Sequence, residues 1–444
     1  MGLNVFKRKA FWYPSLMFGL GLYQQVVVQW TVFFYAPPDG ASTYLLAAQI
    51  GTAMAIGRVV DAAADPFVAY FSDRASFHLG RRRPFMLYGT PFLLLGFILL
   101  WLPPTEGVSG VNFAWASIML GLFFLSYSVI VVPYLALLPE IAEDEKERIR
   151  LSALQAAFYG GGAGLGFVLT NLLAPVLGTA ALSVIVTPAA VLPILWCTYM
   201  TREESISTER DPSSSVDWLN AWRSVVRDPV FMLWIAVQGL TRAALIVFFM
   251  LFPYLMTVIL GVTAIADISL SAVVVLALGS TVSCLYAYRA ATEWGADAVY
   301  GPSLLISGAV VTAAAGIALG PLSSYSQLQG AILFSAGAGA LGLILLLPNA
   351  VIADLARRRR QQQGQQWEAL LYAVQGVVIK LCMGGGSAAV GFLLHFFGGE
   401  FTDPLGIRIS LLTGGVLFIV SYLVFRLHLT LKGKGANKAE ETDS

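Results

Sequence analysis

The chain has 444 residues, of which 57% are hydrophobic and 12% charged, and its formal net charge is +1. Soluble domains carry about 25% charged residues, so this composition indicates an integral membrane protein. A net charge near zero and the lack of a long basic arm exclude nucleic acid as an expected partner. Apolar runs of roughly 20 residues predict membrane-crossing helices, because spanning β-strands would show alternation over about ten residues.

The apolar runs, taken in chain order, separate into twelve predicted helices. They cover residues 11–35, 43–72, 84–103, 111–138, 149–175, 179–200, 229–258, 265–288, 299–319, 326–353, 367–397 and 405–428. Basic residues fill the connections on one side, whereas the opposite connections carry a single cation, Arg408. By the positive-inside rule we expect both termini in the cytoplasm. The first run continues to Tyr35 without a small-residue cleavage site, which favours a retained span over a signal peptide.

The longest cytoplasmic connection, residues 201–228, is polar, rich in serine and mixed in charge, as a solvated linker should be. It divides the chain into an N-terminal half (1–200) and a C-terminal half (229–431), followed by a cytoplasmic tail (432–444). This is the layout of the major facilitator fold, an all-α membrane fold with two pseudo-repeated six-helix halves around a midplane binding site. A twelve-helix protein of another architecture is the alternative.

The second predicted helix carries three charges, Arg58, Asp61 and Asp65, near the middle of the membrane. Asp61 and Asp65 share a helix face, and Arg58 precedes Asp61 by three residues on the same side. Each such charge costs about 2.5–3.5 kcal/mol at the bilayer centre, so the pair predicts a functional site. Two carboxylates can bind Na⁺, share a proton or pair with a buried cation. A static ion pair with Arg58 is the alternative, although one arginine cannot neutralise two acids.

The loop after this helix predicts a cytoplasmic gate. It places a carboxylate at one helix end beside guanidinium groups at the start of the next, which suits a latch that forms in one conformer and breaks in another. A positive-inside anchor would explain the arginines alone. The pattern resembles the cytoplasmic loop signature of the major facilitator superfamily, with Ala69 where a glycine is expected. The gate residues are Asp73, Arg74, Gly80, Arg81 and Arg82.

Several other polar residues fall inside predicted helices. Lys380 lies near the membrane midplane in the eleventh helix and is a candidate charge partner for the acidic pair. The others could line a substrate cavity between the halves, while hydrogen bonding between helices is the structural alternative. These cavity candidates are Gln24, Gln25, Gln155, Gln238, Arg242 and Gln375.

Glycine-rich tracts occupy equivalent places in the fifth and eleventh helices, at 159–166 and 384–391. Small residues let helices approach closely, which suits either moving gates or simple tight packing. The three histidines and three cysteines form no catalytic or metal-ligand set, so we predict neither an enzyme nor a cofactor.

Three segments in the correct order resemble the glycoside–pentoside–hexuronide:cation symporter family. The first is "RVVDAAADPFVAYFSDR" with the following "GRRRPFMLYG". The second is "YSVIVVPYLALLPEIAEDEKERIRL", and the third joins "NAVIADLARRRR" to "YAVQGVVIKLCMG". Together they span most of the chain.

The resemblance implies that Asp61 and Asp65 bind the coupling cation, with the hydroxyl of Ser128 as a further ligand. It also implies that Lys380 interacts with this site. Ala64 stands where the family has a side-chain amide, so one potential Na⁺ ligand is missing, and both Na⁺ and H⁺ stay open as the coupling ion.

Four other departures concern sugar recognition. Val131 stands where the family's galactoside carrier has an acid before the fourth-helix Pro-Tyr. Leu135 stands where it has an aromatic residue just after. Its first-helix aspartate is replaced by Gln24 or Gln25, and its fifth-helix arginine by Gln155. Galactoside recognition is therefore not expected.

We predict a monomeric secondary transporter of a bacterial inner membrane that couples Na⁺ or H⁺ to a sugar, glycoside or related small polar solute. Transport of an amphipathic solute such as a lysolipid is one alternative, because the polar sugar contacts are missing. A non-transporting sensor or assembly protein on a transporter scaffold is another.

Overall fold

A computed structural model describes residues 2–39, 43–75, 77, 80–142, 144–201, 227–263, 267–348 and 368–443. Within these ranges the chain forms long α-helices, with a π-helical turn at Leu255–Ile259 and a 3₁₀ helix at Gly320–Tyr325. The α-helices are α1 Gly2–Tyr35, α2 Ala47–Arg74, α3 Arg83–Leu100, α4 Gly110–Ile141, α5 Glu145–Leu177, α6 Thr179–Met200, α7 Pro229–Tyr254, α8 Leu270–Trp294, α9 Ala296–Ala314, α10 Ser326–Leu346, α11 Glu368–Phe397 and α12 Leu405–Asp443.

Ten of the described helices, α3 to α12, are long and apolar enough to cross a membrane. The two others are more polar: α1 contains three glutamines, and α2 contains the three midplane charges. Side-chain caps fix several helix starts, as where Asp144 accepts a hydrogen bond from the backbone of Glu147 at the start of α5.

The helix ends differ from the predicted spans mainly at the termini. α1 already begins at Gly2, and α12 continues to Asp443, so most of the predicted tail is helical. The prediction for α11 differs by one residue at its start. The predicted linker lies largely outside the described residues, as do the end of the tenth predicted span and the arginine run at 357–360.

Most extensive helix contacts lie within α1–α6 or within α7–α12, and two pairs, α2 with α11 and α1 with α7, join the two sets. At the predicted outer end, the hydroxyl of Tyr254 on α7 donates to the carbonyl oxygens of Val32 and Ala36, at 3.3 and 2.5 Å. Gly51 of α2 and Gly391 of α11 meet so closely that a Cβ on Gly51 would lie 2.9 Å from the Cα of Gly391. The two halves therefore touch there with backbone against backbone.

Both glycine tracts are packing surfaces. In α5, Gly162 packs against the carbonyl group of Phe18 on α1. In α11, a Cβ on Gly384 would lie 3.1 Å from the Cβ of Arg58 on α2. Close approach of α11 to α2 brings the middle of α11 beside the charged turn of α2.

Candidate functional site

Four charged side chains meet where α2 packs against α11. The ammonium group of Lys380 lies 2.7 Å from Oδ1 of Asp61 and 2.7 Å from each carboxylate oxygen of Asp65. Nη1 of Arg58 lies 3.3 Å from Oδ2 of Asp61. Among ion pairs between described residues, those of Lys380 are the ones that join the two halves. The acid surplus expected from α2 alone is thus absent, because two cations face two carboxylates.

The hydroxyl of Ser128 on α4 lies between the two carboxylates. Its Oγ is 2.8 Å from Oδ1 of Asp61, 2.7 Å from Oδ1 of Asp65 and 3.3 Å from Nζ of Lys380. A serine hydroxyl has one proton to donate, so it can donate to only one carboxylate at a time. The ammonium group of Lys380, which lies 2.7 Å from both carboxylates, makes the close approach of the other carboxylate favourable.

The two carboxylates differ in exposure. The side chain of Asp61 is 1% exposed and that of Asp65 26% exposed, while Lys380 is 16% exposed. Asp61 faces the interior of the N-terminal half, and Asp65 provides the open side of the pair. A small cation entering the site would reach Asp65 first.

Arg58 is buried on the inner side of the site, with 2% of its surface exposed. Its guanidinium carbon lies 4.1 Å from the ring centroid of Phe124 on α4. Among the described residues, Nε and Nη2 of Arg58 have no hydrogen-bond partner. The ring covers one face of the guanidinium group, but the N–H groups point outward in its plane, so they keep their capacity to donate.

The predicted cavity amides mostly make hydrogen bonds within their own half. Gln25 donates to Gln29 at 3.0 Å, and Gln155 donates to the hydroxyl of Tyr13 at 2.9 Å. In the C-terminal half, Gln238 donates to Tyr300 at 2.9 Å, and Gln375 accepts from Trp234 at 3.1 Å. The bonds of Gln155, Gln238 and Gln375 join two helices, as the alternative of hydrogen bonding between helices predicts. Gln25 and Gln29 both lie on α1. Gln24 and Arg242 are half-buried.

Sequence reasoning missed two tyrosines near the charged cluster. Tyr127, the neighbour of Ser128, is 8% exposed, and Tyr159 on α5 lies within electrostatic reach of it. Tyr159 also lies within electrostatic reach of Arg58 and Arg242. The available signals were weak, since a tyrosine in an apolar helix is usually a packing residue.

Three of the predicted gate residues, Asp73, Arg81 and Arg82, form one network with an acid that the sequence did not single out. Nη2 of Arg82 lies 3.5 Å from Asp73 and 3.1 Å from Glu140 at the end of α4, and Arg81 lies 2.7 Å from the same glutamate. Gly80 has a φ of 98°, a conformation that favours glycine, where the chain turns before α3. Within the described part of the chain, Arg74 lies outside this network, and its guanidinium group stacks at 3.7 Å on the ring of Tyr70.

The sequence and the fold are similar to those of known transporters. Residues 13–424 match the family described as MFS/sugar transport protein. An uncharacterized symporter of Synechocystis, sll1374, is 28% identical over 44% of this chain and 37% of its own length. Sodium-dependent lysophosphatidylcholine symporter 1 of Xenopus tropicalis is 36% identical over 21% of this chain and 18% of its own length. The aligned parts therefore cover less than half of either relative.

A solved structure supports the fold alone. A mutant of the nucleoside transporter NupG superposes with a TM-score of 0.62 at 10% identity, covering 94% of this chain and 99% of that one. The match to the family model covers nearly the whole chain, and the three sequence motifs agree with it. The chain is a multi-pass membrane protein that belongs to the MFS/sugar transport protein family, within the glycoside–pentoside–hexuronide:cation symporters of the major facilitator superfamily.

Proposed function

We propose that the protein is a symporter that couples Na⁺ or H⁺ to the transport of a sugar, glycoside or related small polar solute by alternating access. The observation that carries the proposal is the convergence of Asp61, Asp65 and Ser128 on the ammonium group of Lys380. The acids and the hydroxyl belong to one half and the lysine to the other. Whatever neutralises the acids therefore also affects how the halves hold together.

A coupling cation would compete with Lys380 for the same oxygen atoms. When the cation binds, the ammonium group loses its partners on α2, and the contact between α2 and α11 weakens. Ion binding thus favours one arrangement of the halves through its differential affinity for the two arrangements. The partly exposed Asp65 is the point of entry, and the buried Asp61 holds the inner side.

Both Na⁺ and H⁺ suit this geometry. A proton on Asp65 would let that carboxyl donate to Ser128 while Ser128 donates to Asp61. A Na⁺ ion would instead take the carboxylate and hydroxyl oxygens as ligands, without an amide oxygen at position 64. The sodium dependence named for the Xenopus relative supports Na⁺, and the lack of a side-chain oxygen at Ala64 supports H⁺.

The same relative favours a second candidate substrate, an amphipathic lysolipid. We give precedence to sugars and glycosides because the family model that covers residues 13–424 is described by sugar transport.

We also place both termini in the cytoplasm of a bacterial cell with the chain in the inner membrane. Terminal reporter fusions that are active only in the periplasm would contradict this orientation by giving a signal.

Uptake into proteoliposomes tests the proposal. Labelled sugars, glycosides and lysolipids are offered in turn with a Na⁺ gradient, a pH gradient or none, and we expect accumulation of one class with one gradient. Asp65→Asn should abolish gradient-driven accumulation while substrate exchange without a gradient continues. Asp297→Asn is the matched control. Asp297 is also an ion-paired acid, but it is 44% exposed and its partner is Lys432, which does not belong to the charged cluster.

Full gradient-driven accumulation by Asp65→Asn carriers would overturn the coupling assignment. Absence of uptake for the whole panel would favour a non-transporting protein on a transporter scaffold. Accumulation of lysolipids alone would show that the substrate is a lysolipid and not a sugar or glycoside.

A further inference from the structure

Two arginines from opposite halves flank the glycine tract of α11 at nearly the same depth. Arg58 of α2 lies against Gly384, and the carbonyl oxygen of Ala243, the neighbour of Arg242 on α7, would lie 3.0 Å from a Cβ on Gly386. Gly384 and Gly386 are separated by about 3 Å of helical rise. Arg58 and Arg242 therefore lie at nearly one level along α11.

Both guanidinium groups have unused donor capacity. Nε and Nη2 of the buried Arg58 have no partner among the described residues. Arg242 is half-buried, and none of its guanidinium N–H groups is hydrogen-bonded or ion-paired within the described part of the chain. Tyr127 and Tyr159 lie within electrostatic reach of Arg58, and Tyr159 also lies within reach of Arg242. Four side chains that can donate hydrogen bonds thus lie near this level.

The charges near the midplane do not balance once Arg242 is counted. Arg58 and Lys380 offset Asp61 and Asp65, so Arg242 leaves one positive charge. A bound coupling cation would raise the excess to two. Uncompensated charges in a low-dielectric interior are costly, whereas an anion held between guanidinium groups removes part of that cost.

We propose that the transported solute carries an oxyanion group, a carboxylate or a phosphate, which binds between Arg58 and Arg242. The planar fork of an arginine matches both groups through paired hydrogen bonds. The hydroxyls of Tyr127 and Tyr159 are further hydrogen-bond donors close to these arginines. This inference rests on the proposed transport function and narrows its substrate class from polar solutes to anionic ones.

Ligand-dependent thermal stabilisation of the purified full chain tests the inference. Three oxyanions are compared with neutral counterparts: methyl glucuronide with methyl glucoside, glucose 6-phosphate with glucose, and lysophosphatidylglycerol with monoacylglycerol. At least one oxyanion should stabilise the wild type more than its counterpart. Arg242→Gln should weaken the binding of that oxyanion about tenfold or more, as expected for a lost charged hydrogen bond. Its affinity for the neutral counterpart should be unchanged. Arg242→Lys should retain part of the affinity.

Arg426→Gln on α12 is the control, because Arg426 is exposed. The inference is overturned if no oxyanion binds better than its neutral counterpart, or if Arg242→Gln binds the oxyanion as the wild type does. Gradient-driven uptake of a neutral solute that is insensitive to Arg242→Gln would also overturn it, while leaving the symport proposal intact. Oxyanion binding that depends on Arg242 in a protein without gradient-driven uptake would support the subsite and contradict symport.

Discussion

Lys380 on α11 lies 2.7 Å from both carboxylate oxygens of Asp65 on α2, a residue 315 positions earlier in the chain. The same ammonium group lies 2.7 Å from Oδ1 of Asp61. One side chain of the C-terminal half thus bridges an acidic pair of the N-terminal half, and Arg58 supplies the second positive charge.

Lys380→Gln should strongly destabilise the protein at neutral pH. Removing one partner of a buried ion pair typically costs about 3–5 kcal/mol, because the remaining charge stays buried. The variant should recover stability when Na⁺ is added or the pH is lowered, and by more than the wild type, since either ion replaces the lost ammonium group. Thermal unfolding in choline and sodium buffers measures this difference. Lys432→Gln is the matched control, and equal ion responses in all three proteins would contradict the competition model.

Asp61→Asn should lower the free energy of unfolding more than Asp65→Asn. Asp61 is almost fully buried and is the ion-pair partner of Arg58, so its neutralisation leaves a buried guanidinium without an acid. We expect a cost of about 3–5 kcal/mol for Asp61→Asn. Asp65 is partly exposed, and its loss should cost about 1–3 kcal/mol. Denaturant unfolding of both variants provides the comparison, and the reverse order would refute the assignment of Asp61 to the inner side.

Gly391→Val should separate α2 from α11 at the predicted outer end. A Cβ on Gly391 would meet the backbone of Gly51 at 2.8 Å, and backbone atoms cannot move aside as a flexible side chain can. Spin labels on Leu46→Cys and Phe401→Cys, two exposed positions at this end, should report a longer distance in the variant. Gly385→Val is the control on the same helix, because nothing lies within 4 Å of a Cβ there. Equal distances in both variants would show that the contact is not close.

Arg82→Gln should destabilise the protein more than Arg81→Gln, although both arginines pair with Glu140. The side chain of Arg82 is 4% exposed and that of Arg81 35% exposed. Exposed pairs contribute about 0–1 kcal/mol, whereas a buried charged hydrogen bond contributes about 1.5–3 kcal/mol. Chemical unfolding of the two variants, together with Glu140→Gln, tests the ranking. Identical losses for the two arginines would contradict the distinction in burial.

Much of the architecture was predictable because a bilayer imposes simple rules on a chain. Hydrophobic length located the helices, and the predicted bounds of α11 differ from the observed ones by one residue. The cost of charge at the midplane identified Asp61, Asp65 and Lys380 as exceptional residues. Helical periodicity placed the two aspartates on one face, and the resemblance to known symporters added Ser128.

The hydrogen-bond and ion-pair partners of the polar side chains were not predictable in the same way. The amides of Gln155 and Gln238 were equally compatible with a cavity and with packing, and only the positions of Tyr13 and Tyr300 decided for hydrogen bonds inside each half. No sequence pattern singled out Glu140 among the acids near the end of α4, and only the fold places it beside Arg81. A local pattern specifies what a side chain can bind but not which distant side chain arrives.

The sequence by itself determined a helical membrane protein with an acidic pair buried in its second helix, because composition, periodicity and desolvation cost act locally along the chain. Only the tertiary structure decided how that pair is neutralised. The glycine contacts between α2 and α11 remove the side chains that would hold these helices apart, and this close approach carries Lys380 to Asp61 and Asp65. The same approach sets Arg58 at nearly the level of Arg242 along α11.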